Sequence, residues 1–165
     1  MSKRQFDVEL SSSSVKSIIR QLEAYGRSLE KRVDELCKRL ADEGVDTAVS
    51  AVRVNTGALR DGIYMQRSGD CEYLVISYSP YAWFVEFGTG VVGEGTYPGE
   101  LPAGWHYDER RSPWAHDPDD PTVWYYVSGG RRFSTQGQPA NAYMLAASEA
   151  MRQKVLDIAR EVFAS

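Results

Sequence analysis

Apolar residues recur along this chain first at helical spacing and then at alternating spacing. Val15, Ile18, Ile19, Leu22, Tyr25, Leu29, Val33, Leu36, Cys37 and Leu40 fall at three- and four-residue steps. That spacing places them on one stripe of a helix running from Val15 to about Asp42. Lys16, Arg20, Glu23, Arg27, Glu30, Lys31, Asp34, Lys38 and Arg39 fill the other faces with mixed sign, the pattern of a solvated surface. Ser11–Ser14 offers hydroxyls for an N-cap, and Gly44 offers a C-cap. Val45, Ala48, Val49 and Val52 continue the spacing as a second short helix or a bent continuation. Upstream, residues 1–14 read as a loose arm in which Phe6, Val8 and Leu10 alternate with Asp7 and Glu9.

The period then changes. Asn55–Gly62 is turn-rich, with Asn55 or Thr56 able to cap a single helical turn. Ile63–Arg67 and Glu72–Ser79 read as strands around a Ser68-Gly69-Asp70 turn, and Pro80 ends the second. Tyr81–Phe87 has helical spacing, with Trp83, Phe84 and Phe87 seating a short helix on the sheet. Residues 88–130 follow no period, yet hold Trp105, Tyr107, Trp114, Trp124, Tyr125 and Tyr126. That is too aromatic for a solvated coil; it predicts an ordered excursion over 91–132, ending in a hairpin of Val123–Ser128 and Arg131–Ser134 around Gly129-Gly130. A last helix spans Ala142 to Phe163. The expected fold is α+β: long N-terminal and C-terminal helices packed on a small antiparallel sheet, in one domain of 1–165.

Composition adds limits. With 165 residues, 42% apolar and 25% charged, the chain resembles an ordinary globular domain with a real core. No apolar run approaches the ~20 residues that span a bilayer, so no membrane partner is expected. The N-terminus lacks a signal-peptide h-region, which with two unpaired cysteines, Cys37 and Cys71, predicts a reducing compartment. Net charge is −4, the wrong sign for tight nucleic-acid binding. Between Glu94 and Asp120 seven acidic residues face two arginines, so this segment alone carries −5.

Candidate chemistry is sparse. His106 and His116 with a nearby carboxylate could share Zn²⁺, but they stand ten residues apart with no helical pair. Asp117-Pro118-Asp119-Asp120 lacks the glycine and distal glutamate of a Ca²⁺ loop. There is no Gly-x-Ser-x-Gly elbow, and Gly88-Thr89-Gly90 lacks a following Gly-Lys-Ser/Thr. Glu86, alone among aromatics, is read either as a general base with raised pKa or as a structural acceptor. In the second reading it binds backbone N–H groups or an arginine such as Arg60.

Three stretches in order resemble one family. Thr56-Gly57-Ala58-Leu59-Arg60-Asp61-Gly62-Ile63 is similar to its Thr-Gly-x-Leu-Arg-x-Ser-Ile element, with Gly62 in place of serine. Tyr81-Ala82-Trp83-Phe84-Val85-Glu86-Phe87-Gly88-Thr89 is similar to its Tyr-Ala-x-x-Val-Glu-Phe-Gly-Thr element. Gly137-Gln138-Pro139-Ala140-Asn141-Ala142-Tyr143-Met144, followed by Ala146-Ala147, is similar to its Gly-x-x-Ala-x-x-Phe-Met-x-x-Ala element. The family is the tail-completion, or head–tail joining, proteins of long-tailed bacteriophages and prophages. The resemblance spans about 15–163, interrupted at the excursion.

The resemblance implies a virion part of the tail or neck, assembled in the host cytoplasm, with no enzyme activity and no cofactor. It implies a homo-oligomeric ring, usually six-fold, that ends the tail tube and docks it to the head connector around the DNA path. Thr56, Gly57, Leu59, Arg60, Glu86, Phe87, Gly88, Thr89, Gly137, Pro139, Ala140 and Met144 would be its structural motif residues. The acidic balance would keep DNA from adhering to a channel it crosses. Trp105, Tyr107, Trp114, Trp124 and Tyr125 have the composition of an interface. Two other classes are also open: a carbohydrate- or protein-binding module built on the excursion, and a metal-dependent hydrolase at the histidines.

Overall fold

The architecture is seen in a computed structural model that describes residues 12–53, 57–107 and 116–164. The first element, α1 (Ser12–Ala51), is one helix of 40 residues, about 60 Å long at 1.5 Å per residue. It begins inside the expected arm, whose residues 1–11 lie outside the described ones. It does not stop at Asp42, and Gly44 does not cap it. A Cβ on Gly44 would lie 2.8 Å from Met151 Sδ and 3.0 Å from Val75 Cγ2. The glycine is there for close approach, and packing offsets its cost of about 1 kcal/mol in helix propensity.

After α1 come a single turn, α2 (Ala58–Asp61), and the strands β1 (Ile63–Gly69) and β2 (Glu72–Ser77). The strands pair antiparallel from Ile63↔Ser77 to Arg67↔Tyr73, with a register shift between Arg67 and Gly69. Then follow α3 (Ala82–Phe87), α4 (Gly90–Gly93), a second hairpin of β3 (Trp124–Ser128) and β4 (Arg131–Thr135), and α5 (Tyr143–Ala164). The second hairpin turns on Gly129 and Gly130 at φ 57° and 75°, the left-handed pair that a tight hairpin turn requires. The α+β reading holds, with its long terminal helices and small antiparallel sheet. The two hairpins form separate two-stranded sheets.

Packing is organised by α1. Helix α5 runs antiparallel to it: Arg32 donates to the Phe163 carbonyl at 3.4 Å, Arg39 meets Glu161, Lys154 meets Glu43 at 3.5 Å, and Met151 meets Gly44. Ala48 and Val52 of this seam join Ile63, Tyr143 and Ala147 in the buried core, with Val45, Val49, Leu59, Val85 and Met144 packed around it. The Tyr143 hydroxyl, on a fully buried ring, lies 2.7 Å from Ser77 Oγ and ties α5 to β2. The β1–β2 hairpin lies on α1 through Asp34, which accepts from Arg67 at 3.0 Å and from the Tyr73 hydroxyl at 3.1 Å. Cys37 and Cys71 are both free and half-buried. Burial, then the proximity of Cys71 and Asp34, pushes the Cys37 thiol up.

The stripe that reads as continuous in sequence is core only in its second half. Helix α5 ends opposite Arg32, and Val15, Ile19, Leu22, Tyr25 and Leu29, all before that point, are between 42% and 57% exposed.

Candidate functional site

The second and third family-like stretches meet at the N-terminal end of α5. The first N–H groups of any helix lack partners inside it. Here α3 supplies them: Glu86, 5% exposed, accepts from Met144 N–H at 2.9 Å through Oε2 and from Leu145 N–H at 3.0 Å through Oε1. The Tyr97 hydroxyl donates to Oε1 at 3.4 Å; burial, then the Glu86 charge, pushes that phenol up. A buried carboxylate at the positive end of a helix is compensated by the helix dipole. The expected alternative, an ion pair with Arg60, does not form. Arg60 Nε lies 3.8 Å from Asp61 Oδ1, and both side chains are exposed. The short turn α2 carries Arg60 outward and gives it its neighbour.

Main-chain bonds complete the joint. Asn141 N–H donates to the Val85 carbonyl at 2.8 Å and Ala142 N–H to the Glu86 carbonyl at 3.1 Å. Thr89 and Gln138 exchange two backbone bonds at 2.9 and 3.0 Å, and Gln138 Nε2 reaches the Phe84 carbonyl at 3.1 Å. Ala140 N–H donates to Thr96 Oγ1 at 2.8 Å. Asn141 also holds the end of α1. Its Oδ1 accepts from Arg53 N–H at 2.7 Å and its Nδ2 donates to the Ala51 carbonyl at 3.1 Å. Two glycines leave no room at the crossing: a Cβ on Gly137 would sit 1.9 Å from the Thr89 carbonyl, and one on Gly88 2.8 Å from Ala140 N. Both take positive φ, 107° and 81°. Pro139 and Met144 are half-buried beside them. In the first stretch Leu59 packs on the core and Gly57 takes φ 87° before α2; Thr56 lies outside the described residues.

The aromatic residues of the excursion fall in two places. Phe87 is the hub of the first, with Trp83 stacked at 5.6 Å, Tyr97 edge-on at 4.8 Å and Trp105 at 5.0 Å between ring centres. Tyr107 packs edge-on to Trp105 at 6.3 Å and donates its hydroxyl to the Phe87 carbonyl at 2.8 Å. In the second, Trp124 reaches Gly90, where its Cη2 would be 2.7 Å from an added Cβ. There Tyr125 donates its hydroxyl to the Asp117 carboxylate and carries the Arg132 guanidinium 3.7 Å above its ring. The Tyr125 bond, then the Asp119 N–H, holds the Asp117 carboxyl below its usual range. Trp114 lies outside the described residues. Trp83 and Phe84, read as seating α3, are 60% and 47% exposed, and only Phe87 is buried.

Chemically, the joint binds its own chain. Both Glu86 oxygens are engaged by main-chain donors, as a cap requires and a general base does not. His116 Nδ1 faces the Pro121 carbonyl at 3.0 Å, His106 is exposed, and among the described residues no three His, Cys, Asp or Glu side chains are grouped to hold a metal. Also among the described residues, no helix is long and apolar enough to cross a membrane. Sequence reasoning missed the Asn141 bridge, because its side chain bonds the end of α1, about ninety positions away, where local spacing carries no signal. It also missed the exposure of the first half of the α1 stripe, for which periodicity carries no signal.

Comparison with known families gives one match. Residues 16–88, which run from α1 through the end of α3 and the glycine after it, match the family model described as "Bacteriophage HK97-gp10, putative tail-component". No curated protein and no solved structure matches the chain. Over residues 16–88, somewhat under half of its length, the chain is similar to the HK97-gp10-like family, described as a bacteriophage tail component.

Proposed function

We propose that this tail component is a tail-completion, or head–tail joining, protein. In this reading it is a structural part of the virion without catalytic activity. Copies of it form a ring, six-fold in the simplest case, that closes the tail tube and docks it to the head connector while DNA passes through the middle. The observation that carries the reading is where the motif residues are spent. Glu86, Gly88, Thr89 and Gly137, together with the neighbouring Asn141, are used inside the chain to lock α3, α5 and the end of α1 together. A locked scaffold with large apolar side chains left outside is suited to assembly rather than turnover. The acidic segment 94–120 would limit adhesion of DNA to the ring.

The test is a phage in which this gene is deleted. Filled heads and free tails should accumulate separately, and purified protein should restore joining in the lysate. Joined particles of normal yield without the protein would overturn the reading, as would a tail that fails at tube assembly instead.

A further inference from the structure

We propose that the first half of α1 is a docking arm whose occupant is a neighbouring copy of this chain, received on the exposed aromatic face around α3. This names the contact surface of the ring and so rests on the reading above.

The arm presents Val15, Ile19, Leu22, Tyr25 and Leu29, each at least 42% exposed, on a stripe at heptad-like steps. Among the described residues, the bonds from α1 and the residues just after it to β2, α5 and Asn141 run from Glu30, whose carbonyl meets Cys71 Sγ at 3.7 Å, to Arg53. The part of α1 before that point is ~27 Å of helix at 1.5 Å per residue. An apolar stripe of this extent on a soluble chain marks an interaction site. The same molecule carries a second apolar patch that its own chain leaves open. Tyr81 is 68% exposed, Trp83 60% and Phe84 47%. Val92, 43% exposed, follows on α4, where Glu94 is exposed as well.

Charge selects the pairing. Residues 12–31 carry four basic side chains (Lys16, Arg20, Arg27, Lys31) and two acidic ones (Glu23, Glu30), a balance of +2. The described stretches 94–107 and 116–120 carry Glu94, Glu100, Asp117, Asp119 and Asp120 and no Lys or Arg, a balance of −5, and they are tied to α3 and α4. Tyr97 and Trp105 meet Phe87, and Gln136 connects Asp120, 3.5 Å from its Nε2, to Val92 N–H, 3.4 Å from its carbonyl. Arm against arm brings +2 to +2. Arm against the α3 face brings +2 to −5, and opposite potentials favour encounter and fix partner choice. Because the two patches differ, the contact is head-to-tail, the kind of interface that generates a ring when its rotation closes.

The experiment uses the full chain with Cys37 and Cys71 replaced by serine. One preparation carries Leu22→Cys and the other Trp83→Cys. The expected result is a disulfide dimer only when the two are mixed and mildly oxidised, and none with either alone. In the wild-type background, Leu22→Asp and Trp83→Ala should each weaken self-association about tenfold or more, with the thermal unfolding of the body unchanged in Leu22→Asp. A disulfide between two copies of Leu22→Cys would overturn the proposal in favour of an arm-to-arm dimer. A wild type that joins heads to tails yet stays monomeric at every concentration and on the tail would also overturn it, assigning the arm to another protein and leaving the joining role intact. Assembly that persists unchanged in both weakened variants would overturn it as well.

Discussion

Glu86 shows how one buried carboxylate can settle the geometry of a joint. Its two oxygens satisfy the N–H groups of Met144 and Leu145, and leaving such buried donors unpaired costs about 1–3 kcal/mol each. Glu86→Ala should therefore destabilise the chain by about 3 kcal/mol in urea unfolding, and Glu86→Gln, which keeps one acceptor oxygen, by roughly half of that. That Glu86 would serve backbone donors was legible, because a lone carboxylate among aromatics needs compensation. That the donors would belong to a helix almost sixty positions later was not, since local spacing holds no record of such a pairing. The nearest plausible cation in sequence, Arg60, was the wrong partner for that reason. Asp117 gives a pH signature at the same scale. Its lowered pKa means that its contribution is fully present above the ordinary carboxylate pKa and is lost as pH falls through the lowered value. Tyr125→Phe removes the leading cause of the shift, so the Asp117 carboxyl should titrate closer to the ordinary range by NMR, with less stability lost on the acid side.

At the scale of elements, α1 carries two glycines with opposite meanings. Gly44 sits at the crossing with α5 and β2, where even a Cβ would press on Met151 and Val75. Gly44→Val should cost about 1–3 kcal/mol by overpacking. Gly26 has nothing within 4 Å of an added Cβ, and Gly26→Ala should stabilise the helix by up to about 1 kcal/mol, read as an increase in helicity by circular dichroism. Sequence reasoning found the helix, both hairpins and α5 because period and turn residues mark them. It placed a break or a bend at Gly44 because a glycine that caps and a glycine that packs look alike until the facing helix is known. It extended β2 two residues too far because Tyr78 and Ser79 have strand-like character, yet the pairing ends at Ser77↔Ile63.

For the whole molecule, the decisive length is that of α5. Its 22 residues reach ~33 Å, enough to cover α1 back to Arg32 and no further. Which half of the apolar stripe becomes core is thus set by where another helix ends, a fact outside the reach of any window on α1 itself. The consequence is a gradient along a single helix. A helical segment of under twenty residues without tertiary cover is marginal in water, so amide protons over residues 12–29 should exchange orders of magnitude faster than those over 32–51 in dilute protein. Assembly would erase that gradient. Ordering the arm and joining a neighbour would then be one equilibrium, and the apparent stability of the arm, unlike that of the body, should rise with protein concentration.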